Sequence, residues 1–118
     1  MDCIFCKIAN GSVASDTVFE DDVVKAFGDL HPKAPVHVLV ISKEHVASIA
    51  HLEENHAALI QRMIYAAKRI AKEKGLGGYK LLFNVGREGG QVIDHLHLHI
   101  LGGWKNEVEL ISMERAND

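Results

Sequence analysis

The residues of this chain best equipped for chemistry are His95, His97 and His99, set alternately with Leu96, Leu98 and Ile100. Imidazole titrates near neutrality, ligates metals and acts as nucleophile or acid–base group. The alternation has a period of two, so an extended strand over Asp94 to Leu101 puts the histidines on one face and the aliphatics in a core. At a rise of about 3.3 Å per residue, His95 and His99 stand roughly 13 Å apart along such a strand. Histidine–zinc bonds are only about 2 Å long, so a straight strand cannot deliver all three rings to one ion. At least one histidine has a different task from the others, which points to a reactive site with room for a separate metal site beside it.

Other groups join them. Gly86, Gly89 and Gly90 lie within the segment Asn84 to Gln91, just before the histidine strand. Closely spaced glycines let a backbone fold tightly and aim amides at an anion, and the position favours that reading over a plain hairpin connection. The segment has no Walker or dinucleotide fingerprint, which excludes phosphate chemistry of the P-loop type. His37 interrupts the apolar run Val36 to Ile41, where a sheet would bring it beside the triad. His45 reads as a surface residue or a metal ligand; His31, His51 and His56 read as structural or solvated. Both cysteines fall in Cys3-Ile4-Phe5-Cys6. That spacing suits half of a zinc site, a redox pair, or two small buried hydrophobes, although no strand precedes it as a redox motif would require.

The positioning elements follow from periodicity. Asp2 is expected to cap a short helix over Cys3 to Ala9, ended by Asn10-Gly11. Thr17 to Glu20 and Val23 to Asp29 read as strands around Glu20-Asp21-Asp22, and Val36 to Ser42 is the strongest strand signal. A helical turn is expected over His45 to Ile49. Glu53 to Lys74 is expected as the one long helix, with Ile60, Met63, Ile64, Ala67, Ile70 and Ala71 as its apolar stripe and Gly75 at its C-cap. Tyr79 to Val85 and Asp94 to Leu101 complete five strands. This order implies an α+β fold with a mostly antiparallel sheet.

The chain has 118 residues, 47% apolar and 25% charged, with a formal net charge of −3. These values suit one soluble domain over 1–118 with its own core. The mild acidity argues against bulk nucleic-acid binding, and no apolar run approaches the roughly 20 residues that span a bilayer. Met1-Asp2-Cys3 lacks the features of a secretory signal, so a cytoplasmic location, where disulfides are rare, is expected.

With these residues in view, the chain resembles the histidine triad (HIT) superfamily. His95-Leu96-His97-Leu98-His99-Ile100-Leu101 is similar to its signature of alternating histidine and apolar residues. Ile4-Phe5-Cys6-Lys7-Ile8 resembles its opening segment, Phe19-Glu20-Asp21-Asp22 its first strand and turn, and Ala26 to His37 its nucleoside-binding stretch. Asn84 to Gln91 resembles its phosphate loop and Leu101-Gly102-Gly103 the ending of the Hint branch, so the likeness runs from 3 to 103. It implies a homodimer whose sheets join, and a hydrolase of purine nucleoside phosphoramidates acting through a nucleotidyl-histidine intermediate. Dinucleoside polyphosphate hydrolysis, nucleotidyl transfer, or a weakly catalytic purine-nucleotide-binding module are the alternatives. By the same resemblance His97 matches the nucleophile, His99 a phosphate contact with Asn84, Gly90 and Gln91, and His37 together with a backbone carbonyl the groups that orient the nucleophile. Asp29 matches the ribose contact, and Ile4, Phe5, Ile8, Phe27 and Leu30 the base pocket. Cys3, Cys6, His45 and His95 match a structural zinc site. Two departures stand out: Val92 replaces a serine near the phosphate or leaving group, and the tail from Trp104 lacks the Trp-Pro-rich ending.

Overall fold

Alternation of side chains along five short strands builds the frame of the molecule. The computed structural model describes residues 3–105, so Asp2 and most of the divergent tail lie outside them; the short helix starts at Ile4, with Cys3 rather than Asp2 as its N-cap. The strands are β1 (Thr17–Glu20), β2 (Val24–Gly28), β3 (Val36–Ser42), β4 (Tyr79–Leu82) and β5 (His97–Gly102), with helices α1 (Ile4–Ala9) and α2 (Ala57–Glu73). They form one sheet in the order β1-β2-β3-β5-β4, every neighbouring pair antiparallel.

In the central strands the two-residue period sorts side chains between two cores. Val38, Val40, Leu98 and Ile100 face α2, whose Leu59, Met63, Ala66, Ala67 and Ile70 are buried against them. Leu39 and Ile41 face the other way and pack with Phe5, Ile8 and Phe27 beneath α1. His97 and His99 lie opposite Ile41 and Leu39 in the β3–β5 ladder, so the histidine face is the α1 face. Burying each large aliphatic side chain contributes about 1.5–3 kcal/mol, which makes the alternation strongly register-specifying.

Several boundaries differ from expectation for local reasons. The long helix begins at Ala57, not Glu53, because a reciprocal capping box between Glu53 and His56 first closes a single 3₁₀ turn over Glu54–His56. Its buried stripe is rotated from the expected one, leaving Ile64 exposed. Strand β2 starts at Val24 because Asp21 Oδ1 accepts the amides of Val23 and Val24, each at 2.8 Å. The helical turn expected over His45 to Ile49 sits at Ile49–His51, capped by Ser48 Oγ. Strand β4 ends at Leu82 rather than Val85. Strand β5 starts at His97 rather than Asp94: the His95 amide turns back to Ile93 O (2.9 Å), and the Leu96 amide goes to Val46 O (2.7 Å). No helix among the described residues is long and apolar enough to cross a membrane.

Candidate active site

The bend before β5 takes His95 out of the row of three, so the expectation of one shared histidine face is corrected. Its Nε2 donates to Ser42 O at 2.6 Å, which leaves Nδ1 unprotonated. Nδ1 lies 3.3 Å from Cys3 Sγ, 3.5 Å from Cys6 Sγ and 3.2 Å from His45 Nδ1. Cys6 Sγ and His45 Nδ1 are also 3.2 Å apart. Bond lengths of about 2.3 Å to sulfur and 2.05 Å to nitrogen in a tetrahedron put ligand atoms about 3.4–3.8 Å from one another. The four groups therefore fit a closed tetrahedral zinc site. Two of them stand at i and i+3 around the start of α1: Cys6 in its first turn and Cys3 as its N-cap, which accepts the Cys6 amide.

The carbonyl of His95 reaches the next histidine. His97 Nδ1 donates to His95 O at 2.6 Å, so its Nε2 carries the free lone pair. Phe5 packs edge-on against the His97 ring at 5.1 Å and also against His95 and Phe27. Burial pushes the His97 pKa down from its ordinary value, against the hydrogen bond to His95 O. A neutral ring with one nitrogen held and one free suits a nucleophile.

His99 takes the opposite tautomer. The Lys33 amide donates to His37 Nδ1 at 3.1 Å, which requires the hydrogen of a neutral His37 to sit on Nε2. That Nε2 then donates to His99 Nδ1 at 2.9 Å, leaving the hydrogen of His99 on its own Nε2. His99 is thus an acceptor inward and a donor at its far nitrogen. His37 and His99 are diagonal across β3 and β5, within reach for side chains of this size. The ring of His37 bonds to His99, while the His97 ring bonds to the backbone carbonyl of His95. Burial, with the neighbouring rings of His97 and His37, lowers the His99 pKa to about 4. Burial likewise lowers that of His37, opposed by the carboxylate of Asp29. Asp29 Oδ2 is 3.5 Å from His37 Nε2, while Oδ1 accepts the His31 amide. Asp29, His37 and His99 converge as metal ligands do. A hydrogen on His37 Nε2 occupies the direction a metal would need, so this group reads as a relay of hydrogen bonds.

The glycine loop is held from within. Gly86 (φ 71°) and Gly90 (φ 86°) adopt backbone conformations that favour glycine. Amides of Gly89 and Gln91 donate to Gly86 O, and that of Gly90 to Arg87 O. The expected phosphate contact by the Gly90 amide is therefore not what that amide does here. Asn84 Nδ2 donates to Gly89 O at 2.8 Å, again inside the loop. Gln91 is buried and turned inward, whereas Val92 stands 81% exposed beyond it. Phe5, Ile8 and Phe27 are buried together, whereas Ile4 is exposed and Leu30 is 89% exposed, outside their cluster. Sequence reasoning missed Ser42, the Lys33 amide and Arg87. The first two act through backbone atoms, which leave no side-chain signature.

An antiparallel α+β domain with a free-nitrogen histidine beside a Cys₂His₂ cluster defines a class of small proteins built on alternating histidines. Comparison with known proteins is specific. The family model described as "Scavenger mRNA decapping enzyme C-term binding" matches residues 2–110. Protein HitA of Neisseria gonorrhoeae is 46% identical over 101 residues, covering 85% of this chain and 94% of that protein. The purine nucleoside phosphoramidase of Escherichia coli is 40% identical over 102 residues, covering 85% and 86%. The solved structure of a histidine triad protein from Clostridium difficile superposes with a TM-score of 0.86 at 46% identity, covering 90% and 94% of the two chains. The chain belongs to the histidine triad family.

Proposed function

We propose that this protein is a nucleotide hydrolase that cleaves purine nucleoside phosphoramidates, releasing a nucleoside monophosphate and an amine. The observation that carries it is the opposed tautomers of two neighbouring rings: His97 offers a lone pair and His99 offers a hydrogen. His97 Nε2 attacks the phosphorus, and a nitrogen–phosphorus bond forms as the bond to the amine breaks. The amine departs as it takes up a proton from solvent, and the water that later attacks gives one back. His99 Nε2–H holds a phosphate oxygen as charge accumulates there. Water then attacks the nucleotidyl-histidine, freeing the monophosphate and restoring the ring. On this reading Asp29 would hold the ribose hydroxyls, and Phe5, Ile8 and Phe27, which pack together, would border the base.

Zinc on Cys3, Cys6, His45 and His95 would supply structural anchoring and take no part in bond making. Such thiols need a reducing compartment, which supports a cytoplasmic location. A homodimer is proposed through α2 and the edge strand β4, where Ile64, Tyr65, Tyr79 and Leu81 are exposed. The relative from Escherichia coli, named a purine nucleoside phosphoramidase, supports the choice of substrate.

A second reading rests on Val92, whose side chain has no hydroxyl to help protonate an amine. It favours a phosphate leaving group, as in a dinucleoside polyphosphate. Parallel turnover assays on an adenosine phosphoramidate and a diadenosine polyphosphate decide between them. Faster cleavage of the phosphoramidate is expected. Preference for the polyphosphate supports the second reading, and tight AMP binding without turnover of either substrate makes the protein a binding module.

A further inference from the structure

Gln91 is only 3% exposed, although it follows a loop of exposed glycines. Its amide makes three internal hydrogen bonds. Oε1 accepts the Gly86 amide at 2.9 Å, and Nε2 donates to Ala47 O at 2.7 Å and to Ile93 O at 2.9 Å. Each partner belongs to a different part of the site. Gly86 opens the glycine loop, Ala47 lies two residues after His45, and Ile93 lies two residues before His95. Ile93 O also accepts the His95 amide, the bond that sets the bend before β5. From outside, Arg87 Nη1 donates to Gln91 O at 2.6 Å while its guanidinium forks onto Asp94 at 2.9 and 3.0 Å.

We infer that Gln91, clamped by Arg87, is a positioning residue that registers the glycine loop against the two segments carrying His45 and His95. Phosphate recognition depends on it and base recognition does not. Its side chain does not touch nucleotide, since every polar atom is already partnered inside the protein. The base-side residues Phe5, Ile8 and Phe27 sit on α1 and β2; of Gln91's three partners only Ile93 packs against that cluster, and Gln91 bonds to its backbone oxygen. Loss of the amide would strand the Ala47 carbonyl and the Gly86 amide. On the nucleotide reading the glycine loop lies on the phosphate side, so a loop loosened by these unsatisfied groups would cost affinity for the anion.

This inference rests on the nucleotide reading and deepens it. The test compares binding of AMP and of adenosine by calorimetry to the full chain, its Gln91→Met variant and its Arg87→Met variant, all well below their melting temperatures. In Gln91→Met, AMP affinity should fall about tenfold or more, a loss of about 1.4 kcal/mol, while adenosine affinity stays within about twofold. Arg87→Met should move the same way by a smaller factor and keeps the test alive if the interior substitution prevents folding. For substrate, kcat should fall further than KM rises, which lost stability alone would not produce at such temperatures. Equal losses for AMP and adenosine, or unchanged AMP binding in both variants, overturn the inference. Wild-type protein that binds neither ligand overturns the functional reading, and the inference falls with it.

Discussion

His95 joins three tasks in one residue: its Nδ1 faces the cysteines, its Nε2 holds Ser42 O, and its carbonyl sets the tautomer of His97. Beyond it, the site is a set of neutral rings. Burial lowers the pKa values of His37, His95 and His97, and that of His99 falls to about 4 from an ordinary 6.5. Between those two values the unfolded chain takes up a proton at this residue and the folded chain does not. Stability contributed by neutral His99 is therefore complete above its unfolded pKa and is lost as pH falls through this window. We expect the melting temperature to drop as pH is lowered from 7 to 4.5, with a shallower drop in His99→Asn. Equal slopes in the two proteins would show that His99 is not held neutral.

Helix α1 has six residues, far too few to persist alone. It is held by the buried Phe5 and Ile8, by Lys25 Nζ donating to Ile8 O at 2.9 Å, and by the thiols it contributes to the Cys₂His₂ set. Removing one ligand should release both metal and helix. Purified wild-type protein is expected to carry close to one zinc per chain, and Cys6→Ser less than about half as much, with melting lowered by several degrees. Metal content unchanged by Cys6→Ser would refute the ligand set. At this scale the sequence was readable where periodicity was strong. The strand Val36–Ser42 stands as expected, and the helix is displaced only at its start, where the Glu53–His56 box intervenes. The alternating histidines suggested one continuous strand, yet backbone bonds from His95 and Leu96 to Ile93 and Val46 pull His95 aside. The bond to Val46 depends on a chain segment distant in sequence, which no local pattern reveals. The same holds for His37, whose partner across the sheet follows from register: His99 lies opposite Leu39, one pleat away.

Across the whole molecule, the sheet puts catalytic candidates on the α1 face and leaves β4 as an open edge beside α2. An edge strand with exposed Tyr79 and Leu81, together with exposed Ile64 and Tyr65 on the helix, suits pairing with a second copy. Sedimentation should give a dimer for the wild type, and Leu81→Glu with Tyr65→Glu should shift it toward monomer. A wild-type monomer at micromolar concentration would remove the dimer from this account.

The central claim is that His97, freed at Nε2 by the carbonyl of His95, forms a covalent bond to phosphorus. Acid quenching during turnover of an adenosine phosphoramidate, followed by peptide mass analysis, tests it most directly. An adenylyl group is expected on the peptide containing His97, located on that residue and absent from His97→Ala, which should bind AMP yet show no turnover. An adduct on His99 or another side chain, or turnover surviving in His97→Ala, would contradict it.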